Sequence, residues 1–281
     1  MTAQFTLSAF GDEIADDVDE QLRVLHELDI GYLELRSAWG TNVLELTDEQ
    51  VGRLIERCDA HSIRVSCIGS PIGKSPIDGP IEKVVDDFER ITDIAKMVGT
   101  DRVRVFSFYP ESDGLQAERV EESITRLRLM AEVAIERNVR LLLENEGGLV
   151  GDTPERCRAL VEGVDSPHLR YVWDTGNYPQ MGFARSVDIG WPLLAQYTEC
   201  VQVKDCRITD GTITVAGEGD GQVRELLQNL RDAEYVGFLA LEPHLLVAGQ
   251  RGGFSGAEGM KMAADALRGL MAETGCVEAR T

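Results

Sequence analysis

Apolar and β-branched residues gather in short runs at 5–10, 31–35, 64–68, 102–106, 140–143, 170–173, 200–203 and 238–241, the length and composition of strands. Between these runs the apolar positions change to helical spacing, at 18–28, 48–61, 81–98, 118–137, 154–162, 223–233 and 257–273. A sixth helix, somewhere in 189–197, has only a faint pattern. Strand and helix in alternation predict parallel βαβ units. Eight units in 281 residues average about 35 residues each, the repeat of a closed barrel rather than an open sheet. No Pro/Ser-rich linker interrupts the chain, so the expected architecture is α/β, one (β/α)8 barrel over residues 1–281. Thr47 before Asp48-Glu49, and Thr153 before Pro154, read as helix caps.

In such a barrel the chemistry lies where the strands end, so the polar residues that terminate apolar runs matter most. Strand five ends Leu143-Glu144-Asn145, strand six Trp173-Asp174-Thr175, strand seven Gln202-Val203-Lys204-Asp205 and strand eight Leu241-Glu242-Pro243-His244. Three carboxylates on neighbouring strands repel one another unless their pKa values rise or a divalent cation joins them. Convergence of Glu144, Asp174 and Glu242 therefore predicts one metal ion. An all-oxygen set suits Mn²⁺, Mg²⁺ or Co²⁺ better than Zn²⁺. The competing explanation is that each acid caps a helix or pairs with an arginine.

Charge and cysteine content narrow the partners. With 28 Lys+Arg against 49 Asp+Glu, the formal charge of −21 opposes nucleic acid and anionic membranes. Six cysteines without a Cys-x-x-Cys pair suggest reduced thiols. No stretch approaches the roughly 18 apolar residues of a membrane span, and the first residues carry no basic leader, so a cytoplasmic location is expected.

Phe10-Gly11-Asp12-Glu13-Ile14, Glu34-Leu35-Arg36, Ser70-Pro71-Ile72-Gly73-Lys74, Phe106-Ser107-Phe108, Gly217-Glu218-Gly219-Asp220-Gly221 and Leu241-Glu242-Pro243-His244 carry a resemblance along nearly the whole chain. The sequence resembles the sugar phosphate isomerase/epimerase group of the xylose-isomerase-like TIM barrel superfamily. That resemblance implies an enzyme whose metal, most simply Mn²⁺, sits on Glu, Asp, His and Glu at the ends of strands five to eight. Three of the four carry over to Glu144, Asp174 and Glu242. Gln202 stands where the family usually has His, so either its amide oxygen is the fourth ligand or the position is vacant. Asn177 stands where many epimerases have a substrate-contacting His.

The implied reaction is proton abstraction beside the carbonyl of a small sugar, through an enediolate, with Glu144 and Glu242 as the two acid-base groups. Lys204 is a candidate proton donor or substrate contact, or else an ion-pair partner of Asp205 or another acid. His244, Asn177, Arg36, Glu34, Lys74 and Arg207 are candidate substrate contacts, although ion pairing explains several of them equally well. His26, His61 and His168 read as surface or packing residues. A glycine-rich stretch at 252–256, beside Arg251, is either a phosphate loop or a plain turn. The first alternative is a lyase or dehydratase acting on a keto-sugar, keto-inositol or 3-keto-glycoside, because it shares the first step. A zinc-dependent DNA-repair branch of the fold conflicts with four histidines and the acidic charge. A metal-free binding barrel is the remaining alternative. Barrels of this group are often dimers or tetramers, which leaves a homo-oligomer open.

Overall fold

A computed structural model describes residues 3–245 and 255–279. Eight parallel strands close into a barrel: β1 Gln4–Phe10, β2 Tyr32–Leu35, β3 Arg64–Ile68, β4 Arg102–Val105, β5 Arg140–Glu144, β6 Leu169–Asp174, β7 Thr198–Val203 and β8 Val236–Leu241. Consecutive strands are neighbours, and β1 closes the ring on β8 through Leu7↔Leu239 and Ala9↔Leu241. The outer ring consists of α1 Val18–Glu27, α2 Asp48–Ala60, α3 Ile81–Val98, α4 Val120–Arg137, α5 Pro154–Val164, α6 Ser186–Leu194, α7 Val223–Asp232 and α8 Gly256–Thr274. No helix among the described residues is long and apolar enough to cross a membrane.

Side chains of a strand alternate between its two faces, and this sorts the core. On β5 to β8 the odd-numbered Leu141, Leu143, Tyr171, Trp173, Val201, Leu239 and Leu241 face outward, where Leu127, Leu160, Leu226 and Leu267 of the helices cover them. Full burial of each such side chain is worth about 1.5–3 kcal/mol. The even-numbered residues face the barrel axis. Leu142, Val172 and Cys200, with Cys67 and the partly buried Phe238, make an apolar plug inside it. One step further along the same strands the inward positions are Glu144, Asp174 and Gln202, and Asp174 lies in register with Gln202.

The expected caps form. Thr47 and Gln50 exchange bonds in a capping box, and Thr153 Oγ1 accepts from Arg156 N at 3.2 Å with Pro154 in the first turn. The faint sixth helix differs most from expectation: it spans Ser186–Leu194, with Pro192 inside, and a 3-10 turn Ala195–Tyr197 follows. Its start is capped from a distance, because Gln222 Oε1 accepts from Val187 N at 3.0 Å and Asp188 N at 3.3 Å. Helix α4 begins two residues later than expected, after a 3-10 turn Gln116–Arg119. All six cysteines are buried and unpaired.

Gly73 follows β3 at φ +86°, and a Cβ there would stand 2.1 Å from the Phe106 carbonyl oxygen. The contact is backbone against backbone, and Phe108 N donates to Gly73 O at 2.9 Å, so neither side can yield. Gly73→Ala should therefore cost at least about 2 kcal/mol, read as a lower urea midpoint at unchanged slope.

Candidate active site

The C-terminal ends of the strands surround a cavity of about 220 Å³, lined by Arg36, Lys74, Arg104, Phe106, Glu144, Glu146, Lys204, Glu242 and His244, with Asp174 and Gln202 beneath. Glu13, Glu144, Asp174 and Glu242 are each no more than 3% exposed. Acids this deep need partners. Arg104, inward on β4, meets Glu144 Oε2 at 2.6 Å. Arg36, just after β2, donates to Asp12 at 2.8 Å, to Glu13 at 2.9 Å and to Glu242 Oε1. Lys204 Nζ lies 3.0 Å from Asp174 Oδ2 and 3.1 Å from Glu242 Oε2, and His244 Nε2 lies 3.1 Å from Glu242 Oε1.

The backbone fixes the remaining geometry. Asp174 Oδ1 accepts from Gly176 N and Asn177 N, both at 2.8 Å. Asn145 ties β5 to β6: its Oδ1 accepts from Asp174 N at 2.9 Å and its Nδ2 donates to Asp174 O at 3.0 Å. Asn177 Nδ2 donates to Glu144 Oε1 at 3.0 Å. The Gln202 amide lies against Glu144; with nitrogen inward it donates to Oε2 at 2.9 Å and Oε1 at 3.2 Å. Turned over, its oxygen joins the carboxylate oxygens, an arrangement that a cation between them or a proton on Glu144 would favour.

Ionisation is divided unequally. Burial pushes Glu144 up, against the pull of Arg104. Burial, reinforced by Glu144 and Glu242, raises Asp174 from 3.8 to about 7 despite Lys204. Glu242 goes the other way: burial is outweighed by Lys204, His244 and Arg36, which hold it well below the usual carboxylate range. Burial disfavours the Lys204 ammonium, but Asp174, Glu242 and Glu144 together keep it charged. His244 is likewise raised by Glu242 against its burial.

Two groups among the described residues bring ligand atoms within 4.8 Å of one another: Glu144, Asp174 and Glu242, and Glu13, Glu242 and His244. The first fits a hard divalent cation, since it is all oxygen, deeply buried, and leaves Asp174 Oδ2 without a well-aligned hydrogen bond. Gln202 is placed to add a neutral oxygen.

The expected substrate contacts divide. Arg36, Lys74, Asn177 and His244 stand at or beside the cavity, with Lys74 held 2.6 Å from Glu146 and over the Phe106 ring. Glu34 lies deeper, 1% exposed and accepting from Ser66 Oγ at 2.9 Å, and does not line the cavity. Arg207 is exposed on the loop after β7, bonded to Glu218 O at 3.4 Å. Lys204 pairs with Asp174 and Glu242 rather than Asp205, whose carboxylate instead accepts from the backbone N–H groups of Gly217, Gly219 and Gly221. Most of the stretch at 252–256, with Arg251, lies outside the described residues. His26 and His61 line a groove at the other end of the barrel. Reasoning from strand ends overlooked Arg104, Asn145 and the acids Asp12 and Glu13. The last two stand directly after β1, where the same rule finds them.

A closed eight-stranded barrel with an acid-lined mouth at its C-terminal face defines an enzyme architecture. The chain belongs to the xylose isomerase-like TIM barrel family, whose model matches residues 22–270. It is 22% identical over 158 residues to a 3-dehydroshikimate dehydratase of Bacillus anthracis, covering 52% of this chain and 55% of that protein. The chain thus matches about half the length of that curated relative. The probable 3-DHS dehydratase AsbF of Bacillus anthracis superposes with a TM-score of 0.73 at 19% identity, over 94% of this chain and 98% of that one. A D-tagatose 3-epimerase-like protein superposes with a TM-score of 0.75 at 18% identity, over 96% and 98%. At such identities these two likenesses establish the fold alone.

The raised Asp174 has a defined consequence for stability in the metal-free protein. Its folded pKa of about 7 exceeds its ordinary 3.8, so the folded state binds the proton more tightly and loses stability as pH climbs through that window. Asp174→Asn removes this loss. The variant's stability relative to the natural chain should improve by at least about 1 kcal/mol between pH 4 and pH 8, measured by urea unfolding in chelator.

Proposed function

We propose that the protein is a divalent-metal-dependent sugar isomerase or epimerase that removes a proton from a carbon beside a carbonyl and returns it to the same or the next carbon. The convergence of Glu144, Asp174 and Glu242 within 4.8 Å carries this reading. Glu144, Asp174, Glu242 and the Gln202 oxygen would hold the ion, most simply Mn²⁺, with Mg²⁺ or Co²⁺ as alternatives. When bound, the ion supplies Lewis-acid stabilisation of negative charge developing on the substrate oxygens.

The chain's own residues take complementary parts. Glu144 and Glu242 enter from β5 and β8, three strands apart around the mouth, so that they address a bound sugar from different sides. Glu144, its pKa raised by burial, is suited to take a proton near neutral pH, and Arg104 fixes its direction. Glu242 stays ionised under Lys204, His244 and Arg36. Lys204, which lines the cavity, would donate to a substrate oxygen once released from Asp174 and Glu242. His244, Asn177, Arg36 and Lys74 are the polar groups available to sugar hydroxyls. The substrate would be a small sugar or sugar derivative, a size that the cavity of about 220 Å³ admits.

A second reading, a dehydratase or other lyase, is favoured by the 22% identity over 158 residues to a 3-dehydroshikimate dehydratase of Bacillus anthracis. Gln202 and Asn177, in place of the family's histidines, support it as well. Both readings share the first proton abstraction. They part when a hydroxyl or other leaving group on the adjacent carbon is expelled.

The test is incubation of chelator-treated and Mn²⁺-loaded protein in D2O with ketoses, keto-inositols, 3-keto-glycosides and 3-dehydroshikimate, reading deuterium uptake and product mass. Metal-dependent exchange without other mass change is expected, and Glu144→Gln should slow it about 10²-fold or more. Loss of water or of an aglycone moves the protein to the lyases. No exchange with any substrate or metal removes the proposed mechanism.

A further inference from the structure

Lys204 occupies a built position. Its stem crosses Gly176 so closely that a Cβ there would stand 2.3 Å from Lys204 Cγ, 3.1 Å from Cδ and 3.2 Å from Cε. Its backbone is held too, since Lys204 N donates to Thr175 Oγ1 at 3.2 Å and Thr175 Oγ1 donates to Lys204 O at 2.5 Å. Glycine at 176 therefore opens the channel that delivers the ammonium to Asp174 Oδ2 at 3.0 Å and Glu242 Oε2 at 3.1 Å. The other oxygen of each acid is already engaged. Asp174 Oδ1 takes two backbone N–H groups, and Glu242 Oε1 takes Arg36 and His244. The oxygens left for a divalent ion are the two that Lys204 holds.

We propose that Lys204 is an internal counter-ion that competes with the divalent metal for Asp174 and Glu242. This inference rests on the metal-binding reading of the site. In the metal-free protein the ammonium relieves repulsion among buried carboxylates and keeps the mouth assembled. An ammonium and a divalent ion cannot share the same two oxygens without strong repulsion at close range. The arriving ion displaces the ammonium toward the cavity that Lys204 lines with Glu146 and Phe106. Competition lowers metal affinity, makes the ion exchangeable, and delivers a cationic donor to the substrate space only once the metal is in place.

The sign of one measurement separates this from a structural role, because disturbing a metal site weakens binding whereas removing a competitor tightens it. Mn²⁺ dissociation constants are measured by electron paramagnetic resonance of the free ion, on chelator-treated full-length protein. Lys204→Met is expected to bind Mn²⁺ about tenfold or more tighter than the natural chain. Its metal-free melting temperature should fall, and its gain on saturation with Mn²⁺ should exceed that of the natural chain. Lys74→Met, which removes a cation of the same cavity paired to Glu146 instead, should change the affinity less than about threefold. If Lys204→Met does not fold, Gly176→Ala is used to displace the stem while keeping the charge, and tighter binding is again expected. Unchanged or weaker Mn²⁺ binding in the variant that folds, with the natural chain binding normally, overturns the competition and leaves the metal centre standing. Absence of Mn²⁺ binding in the natural chain and the variants alike overturns the metal reading itself, and this inference with it.

Discussion

Mutual repulsion among buried carboxylates is the constraint around which the mouth of this barrel is organised. Glu13, Glu144, Asp174 and Glu242 are nearly inaccessible to water, and three of them bring ligand atoms within 4.8 Å of one another. Such a group cannot stay ionised by itself. The chain answers with cations from separate parts of the ring: Arg36 after β2, Arg104 on β4 and Lys204 after β7. Each is itself held by packing or by more than one acid. The partition is uneven, with Glu242 heavily paired and Asp174 underpaired, and that unevenness gives the site both a permanent anion and a demand for further positive charge.

The barrel supplies this arrangement through the period-two alternation of its strands. Odd-numbered residues of β5 to β8 bind the helical shell, and even-numbered residues build an apolar plug that ends in Glu144, Asp174 and Gln202. The plug closes the floor of the cavity, so the polar groups above it work in a low dielectric where their interactions are strong. Asn145 and Asn177 then stitch β5 to β6, setting the separation of Glu144 and Asp174 by hydrogen bonds. Shifting any one of these strands by a single residue would turn its own inward groups outward.

Much of this was legible in the sequence. All eight strands and the carboxylates Glu144, Asp174 and Glu242 could be found from where apolar runs end, because that signal is local. Interactions between distant segments were not legible. Arg104 sits within an apolar strand and announces nothing until Glu144 is seen 2.6 Å away. The pairing of Lys204 with Asp174 and Glu242, instead of the adjacent Asp205, depends on the Gly176 channel and on the glycine loop that takes Asp205's oxygens. Helix α6 was faint because its nine residues, Ser186–Leu194, are mostly apolar and enclose Gly190 and Pro192, so no polar face marks a helical period. Its cap, Gln222, lies 35 residues away. Glu34 and Arg207 matched the rule of polar residues near strand ends, yet one points into the barrel beneath the mouth and the other into solvent.

Anomalous diffraction from crystals of the protein soaked in Mn²⁺ is the most direct measurement of the central claim, that the carboxylate cluster is a metal centre. The account predicts a single strong peak in contact with oxygens of Glu144, Asp174 and Glu242, with the Gln202 amide oxygen turned toward it. A peak on Glu13 and His244 instead, or no peak while Lys204 keeps its place between Asp174 and Glu242, would contradict it.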